Sequence, residues 1–199
     1  MTVPVAILSP AQFSAGTGGK VAPDDPRVPA LLDGAHAGIR RYCRWHIAPI
    51  LPTTDRFLDV NGGYVLQLPT LNLVSIEALS VRDEASDTDP WTVLTQEELD
   101  DLEWSEDGEI RRSVRWPRRY RGVKISFTHG FDFVPDVVQI IQQVVANAIS
   151  SPLGATTESA GALSVSWSTT APGVSGGMSL LDRDYAVLSQ YRLPPRMGT

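Results

Sequence analysis

The sequence predicts an α+β protein: a helical core of two long helices plus a C-terminal helix, with an inserted small antiparallel β lobe and extended terminal arms. Three observations predict this class. Apolar residues recur at helical spacing over 25–48 and 135–151, their period changes to two between Asp55 and Phe131, and stretches rich in Gly, Pro, Ser and Thr cover 1–24 and 153–177. The expected domains are a flexible N-terminal arm, 1–24, a core, 25–152, and a C-terminal arm, 153–199, with a strand-like patch and a helix over 179–191.

The first helix has a start and a stop in the sequence. Asp25 is a candidate cap, Pro26 suits the first helical position, and Pro49 closes the run. Val28, Leu31, Leu32, Ala35, Ile39, Tyr42, Cys43 and His46 form one stripe, with Leu32 and Ile39 at its centre. Arg40, Arg41 and Arg44 gather in the last turns, where they oppose the negative helix end.

Short apolar runs then follow at 57–60, 64–68, 73–81, 102–104 and 123–128. Asn61, Gly62 and Gly63 link the first two, and Glu106, Asp107 and Gly108 make a hairpin candidate. The second long helix opens near Pro135, carries a wide apolar face that includes Ile141 and Val145, and ends by Pro152. Two such stripes imply that the helices pack on each other. In the tail, Val165 and Trp167 alternate with Ser164, Ser166 and Ser168 at strand period, without a private core, so this arm is expected to pack on another chain. Ser179 and Asp182 stand at capping-box spacing before Leu180, Leu181, Tyr185 and Leu188.

A net charge of −6 argues against a surface built throughout for nucleic acid, and a single cysteine, Cys43, excludes an internal disulfide framework. No run reaches the ~18 apolar residues of a membrane span and no basic leader opens the chain, so a soluble protein made inside the cell is expected, without membrane contact. Cys43 and His46, three apart, are two ligands where zinc usually takes about four. His129, in SFTHGF beside Gly130, reads first as a strand-end residue and only second as a base. GTGGK at 16–20 lacks the spacing of a phosphate loop, GVSGG at 173–177 lacks a βαβ context, and no GxSxG elbow exists. No catalytic residue, metal or cofactor is therefore assigned.

Charge patterning is the unusual local signal. EELDDLEWSEDGE at 97–109 is dense in carboxylates, and RRSVRWPRRYRGVK at 111–124 is dense in Arg, with Trp116 and Tyr120 interleaved. Three readings stand side by side: a solvated hairpin that neutralises itself, a contact between subunits, or a contact with nucleic acid through arginines and stacked bases. Candidate contact residues are Arg115, Arg118 and Arg119 here, with Val165, Trp167, Leu180 and Tyr185 in the C-terminal arm.

Four phrases in order, VPALLDGAHAGIRRYCRWHIAP, LPTLNLVSIEALSV, GVKISFTHGFDFVPDVVQIIQQVVANAISSPLGATTESAG and VSWSTTAPGVSGGMSLLDRDYAVLSQYRLP, resemble the head-to-tail connector (adaptor, head-completion) proteins of long-tailed bacteriophages, over about 25–195. The resemblance implies a helical structural protein with a β insertion, larger here than in the barest members, and no enzymatic activity. It further implies a ring, usually of about twelve copies, beneath the portal protein. Such a ring would offer a central channel with non-specific contact to passing DNA, and a lower face for the next connector or tail-completion protein. The implied location is the virion neck, after synthesis in the host cytoplasm. The alternative kept open is a nucleic-acid-binding accessory factor using the Arg-rich segment 111–124.

Overall fold

The computed structural model describes residues 5–82, 91–150 and 180–195, and the backbone alone of 157–160 and 163–166. In chain order the elements are α1 (Pro10–Gly16), α2 (Val28–Cys43), β1 (Leu51–Asn61), β2 (Val65–Gln67), β3 (Leu73–Val81), β4 (Thr92–Val93), α3 (Gln96–Asp100), β5 (Glu103–Trp104), β6 (Glu109–Arg111), β7 (Arg118–His129), α4 (Pro135–Ser150), β8 (Thr157–Ala160), β9 (Leu163–Ser166) and α5 (Asp182–Leu188). A 3-10 turn, Ser189–Tyr191, follows α5. Helices and antiparallel sheets coexist, which is the predicted α+β class. No described helix is long and apolar enough to cross a membrane.

The chain divides into two compact units, Met1–Arg44 with Phe133–Arg192, and Trp45–Asp132 with Leu193–Thr199. The first is helical. Its α2 and α4 pack together through their apolar stripes, and Leu32, Ile39, Ile141 and Val145 are all buried. Leu188 of α5 is fully buried in the same unit, and its carbonyl accepts from the Cys43 thiol at 3.6 Å. Tyr191 donates to the Asp136 carboxylate at 2.9 Å, which ties the 3-10 turn to the start of α4.

Helix boundaries depart from the sequence reading for local reasons. Asp25 does not cap α2, because its carboxylate takes the Arg27 N–H at 3.0 Å and the Arg27 guanidinium at 2.7 Å. The helix begins at Val28, two residues after Pro26. It stops at Cys43 because Arg44 turns left-handed, at φ 71, so His46 is not on α2 and does not share its stripe. At α5 the cap position is Leu181, whose side chain has no acceptor, so only the return half of a capping box forms: Leu181 N–H donates to Asp184 at 2.9 Å. Ser179 lies outside the described residues.

The segment 1–24, expected as a loose arm, contains α1. Ser9 accepts from Gln12 N–H and Gln12 returns the bond to Ser9 N–H, a full capping box on a short helix. Phe13 is fully buried and Leu8 nearly so. Each such side chain contributes roughly 1.5–3 kcal/mol on burial, which offsets part of the cost of ordering the segment. Leu8 N–H also donates to His36 Nε2 at 3.2 Å, and the Arg40 guanidinium donates to the Val5 carbonyl.

The second unit is two layers of strands around one core. A four-stranded antiparallel sheet has the order β1-β7-β3-β4, and a three-stranded sheet the order β2-β6-β5. The turn at 61–63 joins β1 to β2, yet the two strands pair elsewhere, β1 with β7 and β2 with β6, so the chain changes sheets there. The hairpin at 106–108 forms as β5 paired with β6. Leu58, Leu79, Val123, Ile125 and Phe127 of the larger sheet meet Leu66, Ile110, Trp116, Leu99 and Leu102 in one cluster. Helix α3 stands where the sequence reading places none, although Thr95 and Glu98 carry a complete capping box.

The helix pairing gives the first test. Leu32→Ala and Ile141→Ala are each expected to cost about 2–5 kcal/mol, and Ile141→Asp to prevent folding at 37 °C, because an unpaired buried charge consumes most of a total of ~5–15 kcal/mol. Denaturant midpoints equal to wild type for both alanine variants would show that these stripes do not form the core.

Candidate functional site

Alternation along β7 sorts its side chains into two environments. Val123, Ile125, Phe127 and His129 are buried, while Lys124, Ser126 and Thr128 face away from that core and are half-exposed. His129 ends the buried row. Its Nε2 shares a hydrogen bond with Thr53 Oγ1 at 3.0 Å, and its Nδ1 has no hydrogen-bond partner among the described residues. The ring lies 4.4 Å from that of His46, 4.6 Å from Phe127 and 6.1 Å from Trp45.

His46 in turn donates from Nε2 to the Pro49 carbonyl at 2.9 Å. Gly130 makes room for this packing: at φ +118, a Cβ there would lie 2.5 Å from the Pro49 oxygen and 2.6 Å from His46 Nε2. Burial, then the neighbouring His46 and Arg56, push His129 down to about 3, so the ring is neutral near neutrality. A buried neutral imidazole among aromatic rings is structural chemistry, and among the described residues no carboxylate is hydrogen-bonded to it to make it a general base. Nor, among those residues, is any group of three or more His, Cys, Asp or Glu side chains placed to hold a metal.

His36 is a second buried imidazole, pushed down to about 4 by burial and by Arg40, and its acceptance of the Leu8 N–H requires an unprotonated Nε2. Cys43 is buried, and burial pushes its thiol up to about 11, which makes it inert rather than nucleophilic.

The Arg-rich segment resolves differently from its appearance in sequence. Trp116 is 1% exposed and donates from Nε1 to the Tyr64 carbonyl at 3.1 Å, so it belongs to the core and cannot stack on a base. Arg112 lies 4.3 Å over its ring and donates to the Val114 and Arg115 carbonyls at 2.8 and 2.6 Å. Arg115 sits 5.2 Å over the Tyr64 ring and reaches its hydroxyl at 3.3 Å. Arg118 is exposed and Arg119 half-buried at the start of β7. Tyr120 is exposed. Arg121 lies 4.2 Å over the Phe57 ring.

Among the described residues, no carboxylate between 97 and 109 forms a salt bridge. The acidic segment is thus not joined to the basic one by salt bridges among the described residues. Acid and base instead line the same open groove of about 840 Å³, with Glu98 and Asp101 against Arg112, Arg115 and Arg118.

Of the C-terminal candidates, Leu180 is half-buried, and Tyr185 is 39% exposed with its ring 5.1 Å from Tyr42. The backbone of Val165 lies in β9, paired with Glu158 of β8. Trp167 lies outside the described residues. Sequence reasoning passes over Trp91 and over the meeting of Phe57 with Lys124, which strand register brings about; the signal available is strand pairing across a long sequence separation, which one sequence does not show.

The histidines give a pH prediction. In the unfolded chain both His36 and His129 return toward the ordinary value of 6.5, whereas the folded chain keeps them neutral down to about 4 and 3. Between those limits the unfolded state binds more protons, so stability falls as pH drops below 6.5 and levels off once the folded values are passed. Urea midpoints from pH 7.5 to about 4 should fall for the wild type and flatten in His36→Gln and His129→Gln. An unchanged slope in both variants would contradict the assignment.

No family model matches the sequence and no curated protein matches it. Solved structures do. A chain from the neck of an empty GTA particle computed with C6 symmetry superposes with a TM-score of 0.56 at 19% identity, covering 100% of this chain and 96% of that one. The neck of a native GTA particle computed with C12 symmetry gives 0.54 at 18% identity, with the same coverage, 100% and 96%. The virion of a native gene transfer agent (GTA) particle gives 0.53 at 19% identity, over 97% and 93%. The chain has, along its whole length, the fold of these gene transfer agent neck chains.

Proposed function

We propose that this protein is a structural neck component of a phage-like particle, a head-to-tail adaptor that forms a ring beneath the portal, extends the DNA channel and docks the next neck or tail component. The observation that carries this reading is the end-to-end likeness in fold, 100% of this chain and 96% of the other, to chains of a particle neck. The C6 and C12 symmetries of those necks support a closed ring of copies. The chemistry of the described residues supports a structural role: the buried histidines are neutral, and the one cysteine is buried with a raised thiol. The alternative, an accessory factor that grips nucleic acid through 111–124, is weakened by the burial of Trp116, which removes half of its aromatic set.

Imaging of particles made with and without this chain tests the assignment. The expected outcome is density for a ring of this fold between head and tail, and heads without tails when the gene is deleted. Normal tailed particles in its absence, or the chain located in the head shell, would overturn it.

A ring that lets DNA pass must not hold it. With a net charge of −6 per chain, duplex binding by the free protein is expected to be weak, indifferent to sequence and weaker still as salt rises. A submicromolar, sequence-selective complex at physiological salt would favour the accessory-factor reading instead.

A further inference from the structure

One face of the four-stranded sheet carries contacts that its fold does not require. Where β1 meets β7, the register steps from Leu58 opposite Val123 to Val60 opposite Arg119, so Asp59 alone faces Tyr120, Arg121 and Gly122. The bulge pushes two residues outward. Arg121 is held at φ 52, unfavourable for a side chain by roughly 1–2 kcal/mol, and its N–H donates to Asp59 Oδ1 at 2.8 Å. Gly122 is needed beneath it, since a Cβ there would lie 2.6 Å from Val60 Cγ2.

The outcome is a raised patch of rings and cations. Tyr120 is 86% exposed, and Phe57 is 40% exposed beneath the Arg121 guanidinium at 4.2 Å. Trp91 stands 5.8 Å from Phe57, with Lys124 Nζ 5.9 Å from its ring. A ring orients a cation without cancelling its charge. Among the described residues, the carboxylate that reaches Lys124, that of Asp55, is 3.6 Å away and itself 73% exposed, and the exposed Asp59 carboxylate meets Arg121 through the backbone N–H and not through the guanidinium.

The acidic surface of the same unit lies across the core. Leu99 and Leu102 anchor α3 and the start of β5 in the cluster reached by the inward side chains Val123, Ile125 and Phe127, whereas Lys124 points the other way. Glu97, Glu98, Asp100, Asp101 and Glu103 are exposed on that opposite layer and form no salt bridge among the described residues. Glu98 and Asp101 share their groove with Arg112, Arg115 and Arg118 but not with Arg121 or Lys124, and a two-fold contact of the acidic layer with itself sets like charges together.

We infer that the Tyr120–Arg121 bulge, with Phe57, Trp91 and Lys124, docks the acidic layer around α3 of a second copy of this chain, in a head-to-tail contact. The inference rests on the ring reading of the function and specifies which surfaces meet. Charge complementarity selects this occupant over a nucleic acid: the same unit supplies the matching carboxylates, and the chain as a whole is acidic.

Lys20 and Lys124 are the only lysines of the chain, which makes carbodiimide coupling of amine to carboxylate selective. The test mixes ¹⁵N-labelled and unlabelled full-length protein at high concentration and low salt, couples it, and maps the joined peptides by mass. The expected result is Lys124 of one isotope joined to 97–103 of the other. Its yield should fall about tenfold in Arg121→Glu, a loss typical of a close interfacial charge, and fall also in Tyr120→Ala, a change at an exposed side chain outside the core. Lys124 joined only within its own chain, or joined between copies to some other segment, overturns the inference. Protection of Lys124 by a short DNA duplex, with no link between copies, would overturn it and assign the patch to nucleic acid. A ring seen in the particle neck without this cross-link sinks the contact alone, whereas absence of the chain from the neck sinks the functional reading.

Discussion

The strand β7 is the constraint on which the sheet-built unit depends. It is central, hydrogen-bonded to β1 on one side and β3 on the other, and its two faces meet different surroundings. Because successive side chains point to opposite faces, a core residue at Val123 forces an outward residue at 124, and the run to His129 repeats the choice. Slipping the register by one residue would bring Lys124 inward and expose Phe127, at a cost no small unit could bear. The core and the outer face are thus fixed together by one pattern of alternation. The bulge at 120–122 is tolerated because it comes before this run begins, near the end of the β1 ladder.

The same constraint explains why acid and base, adjacent in sequence, do not cancel. The carboxylate-rich segment packs Leu99 and Leu102 inward on one layer, and the arginines that follow are recruited locally: Arg112 by two carbonyls and the Trp116 ring, Arg115 by Tyr64, Arg121 by Phe57. Each of these contacts satisfies guanidinium donors or uses the face of a ring, and the carboxylate beside them, that of Asp59, takes the Arg121 backbone N–H instead. Exposed ion pairs contribute only about 0–1 kcal/mol, so little stability is forgone when the chain leaves them unmade. What remains is a unit whose acidic segment forms no salt bridge among the described residues, although Glu98 and Asp101 share a groove with Arg112, Arg115 and Arg118, and that is an assembly property more than a folding one.

Some of this is legible in the sequence. The long stripes of α2 and α4 are readable because apolar residues recurring every 3.6 positions along a run of sixteen line one face of a helix and would scatter over both faces of a strand. The β region is readable as a class, but not as two sheets, since nothing local says that β1 pairs with β7 across about sixty residues rather than with β2 across a Gly-containing turn. The arm reading of 1–24 misses α1 because its helix is short and its stability comes from Phe13 and Leu8 finding a buried place. Trp116 misleads for a similar reason: interleaving with arginines looks like a stacking surface until the backbone turns that ring inward. The patch at Phe57, Trp91 and Lys124 has no sequence signal, because its members come from three separate parts of the chain.

The charge left outside salt bridges also bears on passage of DNA. In the proposed head-to-tail arrangement, Arg121 and Lys124 of each bulge are covered by the neighbour's carboxylates, which removes these two cations from the solvent that a genome would traverse. Covering these groups leaves the net −6 of each chain unchanged. The interface and the channel then make opposite demands that the same distribution meets: attraction acts at contact distance between copies, where screening over a Debye length of about 8 Å hardly reaches, and the residual repulsion acts across the lumen, where salt weakens it. Had the arginines instead been neutralised within each hairpin, the fold would be as stable to within about 1 kcal/mol, but neither the direction of the contact nor the closure of a ring would be encoded in the surface.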